Sequence, residues 1–277
     1  MQGFEGIEVI VVDNNSDDGR AQEFIAQYPE VKFILQDING GFAQACNKGA
    51  SVSTGKWLLF LNPDTILQPN TLFSLLERGD AEPDWKLIGI KQVNEKGKDT
   101  YPHGIFLRWW NVWPPIKSLQ SLLMGPSKSR KKWSTDSISY PDWISGSFVL
   151  IRNEDFNGLG GWDERFWMYC EDMDLSKRAA DKGWKRVMYN EITCMHSHGG
   201  SSRINPKVKS ITKSHVIIST FTYLQKHTSI PFRWVAFTVL FLITSIDLVL
   251  SSIFSKTKRM MIGVILGKEA RRQRVIH

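Results

Sequence analysis

Short apolar runs, each ended by a cluster of Asp, Asn, Gly or Pro, recur along the N-terminal part of the chain. Residues 7–12 form the first, rich in β-branched side chains and interrupted only by Glu8, and it runs into DNNSDDG at 13–19. That pattern predicts a buried strand, a polar turn and a helix start. Residues 31–35 repeat it more weakly and close in DINGG at 37–41. A helix over about 42–50 and the turn STG at 53–55 then lead to a third strand at 57–61. Further on, 80–85 reads as a loop, 87–93 as a strand, 145–152 as a buried strand and 184–189 as a short strand. Strands alternating with helical segments predict an α/β fold with a parallel sheet, whose ligands bind beyond the carboxyl ends of the strands.

The strand at 145–152 opens with SGS and is followed by a glycine turn, the aromatic run FWMY at 166–169, and three carboxylates, Glu171, Asp172 and Asp174. Acidic residues in a first helical turn favour the helix dipole, which is one reading of all three. The aromatic run behind them gives the other, since desolvation raises a carboxyl pKa toward values that suit a general base. The helix ends near Gly183, a C-cap. Polar side chains also stand at each early strand end: Asp13 after the first, Asn39 after the second, Asn62 and Asp64 after the third. Turn chemistry accounts for any one of these; three along one sheet edge point to a binding edge. His196 and His198 alternate, so on a strand both face one way and form a candidate metal pair if a carboxylate such as Asp64 joins them.

Other features narrow the chemistry. Gly49 and the Gly55-Lys56 pair are wrongly spaced for a P-loop, and Trp57 stands where Ser or Thr is required, which excludes that NTPase motif. The stretch 101–115 carries His103, Trp109, Trp110 and Trp113, and either packs over a sugar or covers a core. A basic run at 127–133 reads as a solvated loop or as a contact to lipid phosphates. The chain of 277 residues suits one large domain with an appendage or two small ones, and its formal charge of +7 favours anionic partners without singling out nucleic acid. Cys46, Cys170 and Cys194 form no CxxC pair, which argues against a zinc ribbon or a disulfide framework and fits a reducing compartment. The N-terminus has neither a basic region nor a long apolar one, so no secretory signal is expected, and the catalytic part is expected in the cytoplasm.

Taken together, VVDNNSDDG at 11–19, NGGFAQACN at 39–47, LFLNPD at 59–64, SGS at 145–147 and GWDERFWMYCEDMD at 161–174 resemble, in order, the motifs of the family 2 glycosyltransferases, and within them the bacterial rhamnosyltransferase-like enzymes of cell-wall and surface polysaccharide synthesis. The resemblance implies a GT-A fold, a Rossmann-like, mostly parallel sheet. It implies a nucleotide-diphosphate sugar donor (dTDP- or UDP-linked), a glycan or lipid-linked acceptor, a divalent metal (Mg²⁺ or Mn²⁺), and no nucleic acid. On this basis Asp13, Asn39, Gly41, Asn47 and Asn62 would line the nucleotide pocket, and Asp64 with His196 or His198 would hold the metal. Asp172 would be the catalytic base, and Trp143, Ser145, Gly146 and Glu171 would lie on the acceptor side. Two departures accompany it: Asn62 replaces the first acid of the DxD motif, and the strand at 7–12 matches the family's second, so part of the nucleotide pocket is expected to be incomplete. Inactive nucleotide-sugar binding and nucleotidyl transfer are therefore the competing functions.

Residues 1–205 are read as the catalytic domain and 206–277 as a helical, membrane-associating segment. Residues 234–254 are nearly long enough to span a bilayer but contain Asp247. At helical spacing Val235, Val239, Leu242, Ile246, Val249 and Ile253 share one face, and Thr244, Asp247, Ser251 and Ser255 the other. This predicts a helix lying in the membrane interface, with a helix packed onto the catalytic domain as the alternative. Lys256, Lys258, Arg259, Arg271, Arg272 and Arg274 follow and favour anionic lipid, which places the protein peripherally on the cytoplasmic membrane face.

Overall fold

The computed structural model describes residues 6–16, 19–113, 116, 119, 122–124, 136–197 and 206–267. In chain order the elements begin with β1 (Ile10–Asp13), α1 (Ala21–Gln27), β2 (Lys32–Leu35), α2 (Phe42–Ser51), β3 (Trp57–Leu61), β4 (Thr65–Leu67), α3 (Thr71–Ala81) and β5 (Trp85–Val93). Short strands β6 (Asp99–Thr100), β7 (His103–Gly104), β8 (Ile138–Ser139) and β9 (Trp143–Ile144) follow, then β10 (Phe148–Arg152), α4 (Asn153–Leu159), α5 (Glu171–Asp181) and β11 (Lys185–His196). Three helices complete the described chain: α6 (Pro206–His227), α7 (Ile230–Ser252) and α8 (Lys256–Ile265).

The central sheet has the order β3-β10-β5-β11-β4, with β6 on β5 and β8 on β11. The expected α/β alternation is present, but among the described residues parallel pairing is confined to β1 with β2 and β5 with β11. Both of these pairs are joined through helices, as a parallel crossover requires. Strand β10 enters between β3 and β5 after the excursion through residues 94–147 and runs antiparallel to both. Among the described residues β1 and β2 form their own two-stranded sheet. They are tied to the rest by Glu8, whose Oε1 accepts from the Thr54 and Gly55 amides.

Because side chains alternate along a strand, each buried strand feeds two cores. Leu58, Phe60, Leu87, Val149 and Ile151 pack on one face with Phe156, Trp162 and Leu175. Ile88, Ile90, Phe148 and Leu150 pack on the other with Leu75 and Trp85. This arrangement fixes the strand register, and with it the residues that emerge at the strand ends.

Helix α6 joins the C-terminal segment to the catalytic part. Its Tyr223 is buried with Phe106, Phe166 and Met173. Helix α7 starts and ends slightly earlier than the sequence pattern predicts, and it presents Val235, Leu242, Ile246, Val249 and Ile253 outward, between 49% and 66% exposed. Among its residues only Ala236 and Leu248 are buried. On the polar face Asp247 accepts from Ser251 Oγ and pairs with Lys258 of α8. Helix α8 then folds back so that Ser214 Oγ of α6 donates to the Met261 carbonyl at 3.5 Å.

Candidate active site

The ends of β3, β5 and β11 and the start of β10 meet at one edge of the sheet, and the polar residues there form a continuous network. Antiparallel pairing of β4 with β11 sets Thr65 opposite His196, and the Ser197 amide donates to the Asp64 carbonyl. That register brings Asp64 Oδ1 to 3.1 Å from His196 Nε2, with Asn62 Nδ2 at 3.4 Å from the same nitrogen. The other ring nitrogen, Nδ1, lies 2.9 Å from Gln92 Oε1, an acceptor that fixes Nδ1 as the protonated position. Nε2 is then the nitrogen turned toward Asp64. Gln92 Nε2 in turn donates to Ser147 Oγ (2.9 Å), and Ser147 Oγ lies 3.1 Å from Ser145 Oγ.

This donor set fits a divalent ion. Two adjacent ligands of an octahedral metal, each about 2.1 Å from it, stand about 3 Å apart, which is the Asp64–His196 spacing. Among the described residues no group of three His, Cys, Asp or Glu side chains gathers in this way, so ligand oxygens and water would have to complete such a sphere. His198 lies outside the described residues. Gln92 did not emerge from the sequence pattern. Its only signal is a polar residue near the end of an otherwise buried strand, and it fixes the orientation of the His196 ring, as the outer partner of a metal-binding histidine would.

Asp172 stands on the far side of the SGS turn. Its Oδ2 accepts from the Gly146 amide at 3.3 Å, and its Oδ1 from the Met173 amide at 2.7 Å. The turn thus links the half-buried carboxylate to the Asp64–His196 pair. The backbone entering α5 is strained at this point: Tyr169 and Cys170 both adopt left-handed conformations, with φ of 69° and 65°. Ser219 Oγ of α6 donates to the Met168 carbonyl, and His215 packs on Trp167, which holds that backbone from outside.

The desolvation predicted from the aromatic run falls on Glu171. Burial, with the nearby Asp172 charge adding to it, pushes the Glu171 carboxyl well above the usual carboxylate range. Glu171, expected on the acceptor side, is 7% exposed, and its Oε2 has no hydrogen-bond partner among the described residues. The Cys46 thiol is likewise pushed up, by burial first and by Glu171 second. Trp143 is half buried and donates from Nε1 to the Ile105 carbonyl, whereas Ser145 and Gly146 form the turn itself.

On the β1–β2 side, Asp13 Oδ2 accepts from the Ser16 amide, which holds the turn after β1. Asn14, which the sequence pattern did not single out, is the hub. Its Oδ1 accepts from Gln36 Nε2 and the Gly40 amide, and its Nδ2 donates to Asn39 Oδ1 and the Gly41 carbonyl. Gly41 has φ of 87°, and a Cβ there would lie 2.1 Å from the Trp167 carbonyl oxygen, so only glycine fits. The Phe42 amide donates to that same oxygen, and Trp167 Nε1 donates to the Asn39 carbonyl, which locks the loop before α2 to the loop before α5. Asn47, expected along the nucleotide pocket, is bound within the chain. Its Nδ2 donates to the Trp162 carbonyl and Glu164 Oε1, and its Oδ1 accepts from the Trp162 amide, so its amide is consumed in tying α2 to the loop at 161–164.

Comparison with known proteins agrees with this geometry. The family described as Glycosyl transferase family 2 matches residues 1–141, half of the chain. The N-acetylglucosaminyl-diphospho-decaprenol L-rhamnosyltransferase of Mycobacterium tuberculosis is 28% identical over 258 residues, 82% of this chain and 79% of that protein. Rhamnosyltransferase WbbL of Escherichia coli is 24% identical over 226 residues, 78% and 82% of the two chains. Among solved structures, GalNAc-T7 with UDP, GalNAc and Mn²⁺ superposes with a TM-score of 0.52 at 19% identity, covering 86% of this chain and 51% of that one; the present chain therefore spans about half that protein's length. The fold is that of the GT-A glycosyltransferases. With the sheet edge, the strand-end acids and the family match in agreement, the protein belongs to glycosyl transferase family 2, on its rhamnosyltransferase-like side.

Proposed function

We propose that the protein is an inverting glycosyltransferase that moves a sugar of the rhamnose type from a nucleotide-diphosphate donor, dTDP- or UDP-linked, to a lipid-linked glycan acceptor at the membrane surface. The observation that carries this reading is the unbroken polar path from Asp172 through the Gly146–Ser147 turn and Gln92 to His196 and Asp64. It sets a basic carboxylate and a metal-ligand pair on either side of one turn, the two functions that a single displacement at an anomeric carbon requires.

In that displacement the acceptor hydroxyl oxygen attacks the anomeric carbon as the bond from that carbon to the diphosphate oxygen breaks, and Asp172 takes the hydroxyl proton. One inversion follows from one displacement. The Gly146 amide, donating to Oδ2, holds the carboxylate toward the acceptor. Asp64 and His196 would hold Mg²⁺ or Mn²⁺, and such an ion supplies positive charge for the departing diphosphate. Asn62 stands beside the pair, and Asn39 and Asp13 lie toward the β1–β2 side, where the nucleoside would bind.

Membrane attachment belongs to the same proposal. Helix α7 is long and apolar enough to cross a bilayer, with mean hydropathy 2.0. Helix α8, however, folds back onto α6, which carries Lys207, Lys209, Lys213 and Lys226, so a spanning α7 would pull these charges into hydrocarbon. An in-plane α7 avoids that cost. The testing experiment measures donor binding and turnover with and without divalent metal, on the parent and on Asp64→Ala. Loss of both in chelator, restored by metal only in the parent, is expected, and full activity in excess chelator refutes the metal assignment.

A further inference from the structure

A groove of about 420 Å³ runs between the tryptophan-rich loop after β7 and the N-terminal half of α7. Trp109, Trp110 and Trp113 form one wall and Val235, Val239 and Leu242 much of the other, and every lining side chain is apolar. Stacking of Trp109 on Phe232, with centroids 4.7 Å apart and planes 18° apart, closes one end. The remaining walls stay open to solvent: Trp113, Val235 and Leu242 are about half exposed. A groove with no polar lining binds chain, not headgroup.

The loop that forms it starts at the acceptor side of the site. The Ser145 amide donates to the Pro102 carbonyl, β7 pairs with β9, and the Leu107 amide contacts Sδ of Met173, the neighbour of Asp172. Exposed Arg108 follows directly, and Trp109 is two residues from the Met173 contact, at most about 7 Å of chain. Apolar groove, cationic side chain and base-bearing turn thus occur in that order along one path.

We propose that this groove binds the isoprenoid chain of the lipid-linked acceptor, with Arg108 facing the phosphate that joins chain to sugar. The inference rests on the transferase reading and adds to it the part of the protein that recognises the lipid. Two features favour the acceptor's own chain over a bilayer acyl tail. The loop that walls the groove is tied to the acceptor-side turn by the Ser145–Pro102 and Leu107–Met173 contacts, and exposed Arg108 lies in the chain between the second of these contacts and Trp109 of the groove wall. The Mycobacterium tuberculosis relative named above acts, by its name, on a diphospho-decaprenol.

Farnesyl diphosphate is the test probe, with inorganic pyrophosphate as the head-only control and phosphatidylglycerol vesicles as the acyl-chain control. Binding is measured on the full chain and on Val239→Trp, which fills the groove from an exposed helix surface, and Trp113→Ala, which removes a wall. UDP and dTDP binding is measured on the same preparations. The expected result is farnesyl diphosphate binding about tenfold or more tighter than pyrophosphate, weakened about fivefold or more by either variant, and little displaced by the vesicles. Equal affinity for farnesyl diphosphate and pyrophosphate, or unchanged binding in both variants, overturns the groove assignment, and full displacement by the vesicles assigns the groove to bilayer lipid instead. Nucleotide binding by the parent with groove-independent probe binding overturns this inference alone. Groove-dependent probe binding without nucleotide binding overturns the transferase reading instead.

Discussion

Replacing Asp174 by Asn tests how the catalytic helix is held to the C-terminal segment. Asp174 is fully buried in the first turn of α5, two residues after Asp172, and its carboxylate meets Arg178 Nε at 2.8 Å, Lys226 Nζ at 2.6 Å and His227 Nε2 at 2.7 Å. Lys226 and His227 belong to α6, so this one carboxylate joins the two helices. Removing one partner of a buried ion pair costs about 3–5 kcal/mol, because the remaining charge is left uncompensated. Here Lys226 keeps Asp163 at 2.7 Å and Arg178 keeps the Leu159 carbonyl, which sets the expected loss at the lower end, about 3 kcal/mol. The pH dependence follows from the Asp174 pKa. Burial raises it, but the His227 hydrogen bond and the charges of Arg178 and Lys226 outweigh burial and hold it below the ordinary value. A depressed folded-state pKa gives stability that is fully present above the unfolded value of about 3.9 and is lost as pH falls through the folded one. Denaturant unfolding of parent and Asp174→Asn at pH 7 should therefore differ by about 3 kcal/mol, with the gap shrinking below about pH 4. A difference under about 1 kcal/mol at pH 7, or a gap that does not close in acid, refutes this account of the cluster.

Two further outcomes are expected. Gln92→Leu should leave the fold intact but weaken divalent-metal affinity about 10- to 100-fold, because His196 loses the acceptor that orients Nε2 toward Asp64; metal titration followed by calorimetry measures it. Leu242→Glu with Ile246→Glu should shift the protein from the membrane pellet to the supernatant after expression, and an unchanged distribution would show that the outward face of α7 is not the anchor.

What the sequence revealed and what it hid divide along physical lines. Asp64 and His196 were legible as partners because each sits at a strand end, and ends of neighbouring strands meet whatever the register. Gln92 was hidden, because a single polar residue in an apolar strand carries no sign of what it faces. The tie made by Asn47 was hidden for a related reason: Asn is favoured both where a ligand binds and where a loop must be tied, and only coordinates show that its amide bonds to Trp162 and Glu164. The aromatic run correctly signalled a desolvated carboxyl, yet the helical turn rotates Glu171 inward and Asp172 outward, which spacing alone did not resolve. The antiparallel course of β10 was hidden, since pairing across residues 94–147 leaves no local trace. Helix α6 falls within the segment read as helical, but which of its faces is buried was not legible, because it buries Ser210, Thr212, Ser214 and Ser219 along with Tyr223 and Leu224.

The central claim is that Asp172 takes the acceptor proton, and the transfer rate of Asp172→Asn tests it most directly. Asn keeps one of the two hydrogen bonds, its Oδ1 accepting from the Met173 amide at the helix start, while its Nδ2 replaces the oxygen that accepts from the Gly146 amide, so donor affinity is measured alongside the rate to show that the turn is preserved while the base is removed. Transfer should fall by about 10²–10⁴-fold with donor affinity within a few-fold of the parent. A loss of less than about tenfold, or a parallel collapse of donor affinity, would contradict the assignment.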